Sequence, residues 1–133
     1  MKKILVVDDN DHLGEILKES FVEIGYDVTV VVKGRDALKM VESVKPNVVI
    51  LDMKLGDVDG LDVLEDIHKN HADIKVIIYT AFEEYKEMHS RLAKEKYCTF
   101  ILKPVYVETI ISEVEKLLGI STDDDKNKGT YKN

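Results

Sequence analysis

The stretch Lys2-Lys3-Ile4-Leu5-Val6-Val7-Asp8-Asp9-Asn10 decides the fold. Its four apolar residues run together without alternation and stop at two aspartates. A strand buried on both faces reads this way, and such strands belong to parallel sheets. The basic start followed by an apolar run resembles the opening of a signal peptide, but Asp8 and Asp9 end the run too early.

Working outward, similar runs recur at Val28–Val32, Val48–Leu51, Val76–Tyr79 and Thr99–Leu102. The stretches between them change to helical period. Leu13, Ile16, Leu17, Phe21 and Ile24 fall on one face, with Gly25 placed to close the helix. Ala37, Leu38 and Val41 mark a second helix that must end before Pro46. Leu61, Leu64 and Ile67 mark a third, and Tyr85, Met88 and Leu92 a thin fourth. Val107, Ile110, Ile111, Val114, Leu117 and Leu118 mark the strongest, closed by Gly119. Five strand–helix units predict an α/β fold: a doubly wound, five-stranded parallel sheet in the flavodoxin-like order 2-1-3-4-5, with five flanking helices.

The chain has 133 residues, enough for one domain, and we place it at residues 1–120. Residues 121–133 hold no Leu, Ile, Val, Phe or Met and are expected to form a disordered tail. With 19 basic and 26 acidic residues the net charge is -7, which argues against contact with nucleic acid. One cysteine excludes a disulfide framework. No apolar run approaches the ~18 residues of a membrane span, so we expect no membrane contact and a cytoplasmic location.

Open α/β sheets bind ligands beyond the carboxyl ends of their strands. The residues there are Asp8 and Asp9 after the first run, Asp52 after the third, Thr80 after the fourth and Lys103 after the fifth. Three carboxylates held close repel one another, and a divalent cation removes the conflict. Magnesium prefers such oxygen ligands and keeps waters that a phosphate can replace. Lys103 adds a point charge suited to a phosphoryl oxygen, and Thr80 adds a donor. A carboxylate can itself attack phosphorus to give an aspartyl phosphate.

With these residues in place, the chain resembles a response-regulator receiver domain of two-component signalling, of the single-domain chemotaxis-regulator type. The match rests on Asp8-Asp9, Asp52, Asp59-Gly60, Thr80-Ala81 and Lys103-Pro104, and covers about Lys2 to Gly119. The resemblance implies that Asp52 is the phosphoacceptor of a phosphorelay. It implies that Asp8, Asp9, Asp52 and the backbone carbonyl of Lys54 hold Mg2+. Lys103 would pair with Asp52 and then with the phosphoryl group. Thr80 would swing toward the phosphate, and Phe100 would turn inward as the aromatic switch. The Lys103–Pro104 peptide would be cis. The donor would be a histidine kinase or phosphotransfer protein. The receiver would assist its own phosphorylation and dephosphorylation without being a turnover enzyme. Its output would be contact with a downstream target protein through the fourth helix, fifth strand and fifth helix, roughly residues 82–119. A phosphorylation-dependent homodimer through that face stays open.

The chain departs from the family pattern at Gly56, where proline is usual, which predicts a looser loop. It also departs at Lys96-Tyr97, where Gly-Ala is common. Lys54 and Phe82 fill the positions that tune phosphate lifetime in the family. Plainer readings stand beside these. Asp8, Asp9 and Asn10 suit a helix cap. His68 and His71 suit a solvated surface, Cys98 a core site, and the charged stretch 83–96 a solvated face. Rival functions are a receiver cut from a longer regulator or hybrid kinase, a binding module that needs no phosphate, and an aspartyl-phosphate phosphatase. The phosphatase is disfavoured because Lys54 stands where such enzymes of the haloacid dehalogenase type carry a second aspartate.

Overall fold

The computed structural model describes residues 1–81 and 98–120. In chain order the elements are β1 (Lys3–Val7), α1 (Asp11–Glu23), β2 (Asp27–Val31), α2 (Gly34–Val44), β3 (Val48–Leu51), α3 (Gly60–Asn70), β4 (Lys75–Thr80), β5 (Cys98–Leu102) and α4 (Val107–Leu117). The strands form one sheet in the order β2-β1-β3-β4-β5, and every pair is parallel. All five predicted strands and the strand order are present. The helix expected around Tyr85–Leu92 lies outside the described residues, as do Phe82, Lys96-Tyr97, the charged stretch 83–96 and the expected tail.

The unbroken apolar runs have their cause in two core layers. On one face, Leu5, Val7, Val49, Leu51, Val76 and Ile78 meet Ala37 and Val41 of α2 and Val63, Leu64 and Ile67 of α3. On the other, Ile4, Val6, Val48, Ile50, Ile77 and Tyr79 meet Leu17 and Phe21 of α1 and Ile110, Ile111 and Val114 of α4. Each strand feeds alternate side chains to the two layers.

The helix ends follow local chemistry. Asn10 caps α1 by accepting from the Leu13 N–H. That leaves the two aspartates before it for other work. At the far end, Gly25 and Tyr26 donate back to Val22 and Phe21, and the Tyr26 ring meets the Phe21 ring edge-on at 5.4 Å. Asp59 caps α3 through the Leu61 N–H. Among the described residues no helix is long and apolar enough to cross a membrane.

Sheet register places the strand ends level with one another. Val7 pairs with Leu51, Leu51 with Ile78, and Thr80 with Leu102. The strand order reverses between β1 and β3, so the crevice at their carboxyl ends is the switch point of the sheet.

Candidate functional site

Parallel-ladder hydrogen bonds continue one residue past the strands and fix the residues that matter. The Asp8 N–H donates to Val31 O at 3.1 Å, Asp52 N–H to Val7 O at 2.9 Å, and Lys103 N–H to Thr80 O at 2.8 Å. The backbones of Asp8, Asp52, Thr80 and Lys103 are thereby anchored to neighbouring strands. The Lys103–Pro104 peptide is cis, as expected.

Asp8 and Asp52 are buried and Asp9 is exposed, with one carboxylate oxygen from each lying within 4.8 Å of the others. Among the described residues this is the one group of three or more acidic, histidine or cysteine side chains that can hold a metal ion together. An all-oxygen set open on the Asp9 side suits a hard divalent cation that keeps part of its water shell.

Lys103 reaches into the same cluster. Its Nζ donates to Asp8 Oδ2 at 2.7 Å and to Asp52 Oδ2 at 3.3 Å. Asp8 Oδ1 accepts from the Asn10 N–H, and Asp52 Oδ1 from the Lys54 N–H. Burial works against the Lys103 ammonium, but the bonds and charges of Asp8 and Asp52 outweigh it and hold its pKa above the ordinary lysine value. Lys103 is therefore a fixed cation at neutral pH. It also sits 5.0 Å from the centroid of the Tyr79 ring. Burial raises the Tyr79 phenol above its ordinary pKa, against the pull of Lys103 and a backbone bond from Val105.

Thr80 is fully buried at the end of β4. Phe100, opposite Ile78 in the register, is half-buried and packs against the α2–α3 layer. Alternation along the strands puts Thr80 and Phe100 on that same face. The structure thus gathers Asp8, Asp9, Asp52 and Lys103 into direct contact range, and places Thr80 beside them on the sheet edge.

The loop after Asp52 is tied at three points. Lys54 and Asp59 form an antiparallel bridge, and the Gly60 N–H donates to Met53 O at 2.8 Å. Gly60 has to be glycine, because a Cβ there would lie 2.5 Å from Met53 Cα and 2.8 Å from Asp52 O. Gly56 holds φ at +84°, a value closed to proline. At this position the loop thus holds a conformation that proline cannot adopt.

The third tie is a residue that sequence reasoning missed. Both oxygens of Asp57 accept from the first N–H groups of α2, Gly34 at 2.9 Å and Arg35 at 3.2 Å. The helix has no cap of its own, since Lys33 offers none. The missing local cap was the visible sequence signal. The Gly34 N–H lowers the Asp57 pKa most, against desolvation, with help from Arg35. A lowered folded-state pKa means stability that is present above the ordinary carboxylate range and lost as pH falls through the lowered value. Asp57→Ala is therefore expected to lower the urea midpoint at pH 7. The gap from wild type should shrink toward pH 3, and amide exchange at Gly34 and Arg35 should be faster at pH 7.

Two side readings are settled. His71 lies partly buried at the surface, with its Nε2 3.2 Å from the exposed Glu42 carboxylate. Cys98 is a core residue, and burial pushes its thiol up to about 12, which leaves it inert.

Comparison with known proteins agrees with this geometry. The family model described as "Response regulator receiver domain" matches residues 4–115. The chain belongs to the response regulator receiver domain family. This receiver is 32% identical over 121 residues to sporulation initiation phosphotransferase F of Bacillus subtilis, covering 91% of this chain and 97% of that one. It is 31% identical over 123 residues to response regulator MprA of Mycolicibacterium vanbaalenii, covering 92% of this chain and 53% of that one. The chain therefore spans about half the length of MprA and nearly all of the sporulation protein. Among solved structures, response regulator TrrA of Thermotoga maritima in complex with Mg(2+)-BeF superposes with a TM-score of 0.77 at 35% identity, covering 88% of this chain and 99% of that one.

Proposed function

We propose that this receiver takes a phosphoryl group onto Asp52 in a Mg2+-dependent transfer from a histidine kinase or phosphotransfer protein. The observation that carries the reading is Lys103 Nζ lying between Asp8 and Asp52, inside a cluster of three carboxylates at the switch point of the sheet. A relative named as a phosphotransferase and a neighbour solved with Mg(2+)-BeF support it.

In this reading Asp8, Asp9, Asp52 and the Lys54 carbonyl would hold the magnesium ion, which when bound would supply positive charge to neutralise the phosphoryl oxygens. A carboxylate oxygen of Asp52 forms the new bond to phosphorus while the bond from phosphorus to the donor's nitrogen or oxygen breaks, and the electron pair leaves with the donor. Lys103 shifts its ammonium onto a phosphoryl oxygen as the Asp52 carboxylate becomes an acyl phosphate. Thr80 gives its hydroxyl proton as a hydrogen bond to another phosphoryl oxygen, and Phe100 follows it on the same face. The phosphoryl group thereby biases a two-state equilibrium in the surface of residues 82–119, which recognises a downstream target protein. Hydrolysis returns the receiver to its start, so it is a signalling phosphoacceptor and not a turnover enzyme. The location that fits this role is the cytoplasm.

The test is incubation with magnesium and acetyl phosphate, followed by intact mass and peptide mapping. One added phosphoryl group that maps to Asp52 and is absent in EDTA is the expected result. No adduct from a protein whose circular dichroism is intact overturns the reading in favour of a phosphate-independent binding module.

A further inference from the structure

Tyr79 is the penultimate residue of β4, and by sequence it reads as the end of an apolar run. It is 5% exposed and packs in the layer beneath α1 and α4. Its ring lies under the Lys103 ammonium at 5.0 Å. One aromatic side chain of the core thus also faces the cation of the site.

The consequence appears when the partners of Lys103 are followed through the reaction. Lysine is a compact charge on a flexible four-carbon stem, and its position depends on what surrounds it. Here it has two carboxylate partners, Asp8 at 2.7 Å and Asp52 at 3.3 Å. The proposed chemistry weakens both contacts. Asp8 is drawn to the divalent cation, and Asp52 loses its charge when it becomes an acyl phosphate. The Tyr79 ring face is the contact that neither event removes. A buried ring also offers its quadrupole with little competition from water.

We propose that Tyr79 is a positioning residue for phosphoryl transfer. Its ring face keeps the Lys103 ammonium in the site. The proposal rests on the reading of Lys103 as the phosphoryl-binding cation, and it adds no covalent step of its own.

The test measures the rate of phosphoryl adduct formation with acetyl phosphate and magnesium by intact mass. The proteins are wild type, Tyr79→Leu, Tyr79→Phe, and the Phe variant carrying one, two or three ring fluorines. Fluorine withdraws electron density from the ring face with little change in volume, so it weakens attraction to a cation and leaves packing in place. Tyr79→Leu is expected to react about tenfold more slowly than wild type, and Tyr79→Phe about twofold to threefold more slowly. The logarithm of the rate should fall steadily with fluorine number. Mg2+ affinity, read by calorimetry, should weaken by no more than about twofold in any variant. General damage to the site would instead lower rate and metal affinity together.

A rate independent of fluorine number overturns the proposal, as does a Leu variant that reacts like wild type. If the Leu variant fails to fold, the fluorine series still decides. Wild-type protein that forms no adduct overturns the phosphoacceptor reading itself, whereas a reactive wild type with a flat series overturns only the role of Tyr79.

Discussion

Asp52→Asn is expected to abolish the phosphoryl adduct and, at the same time, to raise the stability of the metal-free protein by about 1 kcal/mol. The first effect follows because an amide is no nucleophile toward phosphorus and no other strand-end carboxylate stands where Asp52 does. The second follows from charge. Three carboxylates crowd within 4.8 Å, and Lys103 is the cation bonded to two of them, Asp8 and Asp52. Losing Asp52 leaves Lys103 its shorter bond, to Asp8 at 2.7 Å, so the ammonium stays paired. What disappears is repulsion between like charges in a partly buried site. The amide is the same shape and keeps an acceptor for the Lys54 N–H, so no cavity opens. A thermal scan in EDTA reads the gain as a rise of about 3 °C. The gain reverses in excess magnesium, where the wild-type cluster is stabilised by its ligand and the variant binds it more weakly. A variant that still takes up one phosphoryl group would show that Asp52 is not the acceptor. One with a lower melting temperature in EDTA would show that pairing with Lys103 outweighs the repulsion.

The same crowding explains why the site was legible in the sequence. Parallel strands buried on both faces leave little room for polar residues except at their ends. Asp8, Asp52, Thr80 and Lys103 therefore stand out against Ile4–Val7, Val48–Leu51, Val76–Tyr79 and Thr99–Leu102, and sheet geometry brings strand ends together. Asp57 and Tyr79 do not stand out. Asp57 looks like any loop aspartate, and its partners at Gly34 and Arg35 lie 23 and 22 residues earlier in the chain. Tyr79 has the composition of a core residue and is one; only the approach of Lys103 from the neighbouring strand gives its ring a second use. The Gly56 loop shows a further limit. The loss of proline predicts looseness, yet the Lys54–Asp59 bridge, the Gly60 bond and the Asp57 cap tie the loop from outside its own sequence. Local propensity describes a segment alone, whereas these restraints are tertiary.

Lys103→Ala is expected to move metal affinity and phosphoryl transfer in opposite directions. The ammonium reaches into the cluster and claims Asp8 Oδ2 and Asp52 Oδ2. A divalent cation entering the same carboxylates meets that positive charge. Removing it should strengthen Mg2+ binding about tenfold, a change of ~1.4 kcal/mol that is modest beside the Coulomb energy of charges a few ångströms apart. It should also leave Asp8 and Asp52 buried and unpaired without metal, lowering stability in EDTA by about 2 kcal/mol, below the range for fully buried pairs because the Lys103 side chain keeps 16% exposure. Magnesium should restore much of that loss. Adduct formation should nevertheless fall about 100-fold, the usual scale for deleting one preorganised charge donor aimed at a developing oxyanion. Calorimetric titration, urea unfolding with and without magnesium, and intact-mass kinetics read the three quantities separately. Tighter metal binding together with slower transfer would distinguish a cation that serves the phosphoryl group from one that merely balances the aspartates. If transfer stays fast while stability falls, Lys103 is a counterion alone, and the chemistry rests on the carboxylates and their metal.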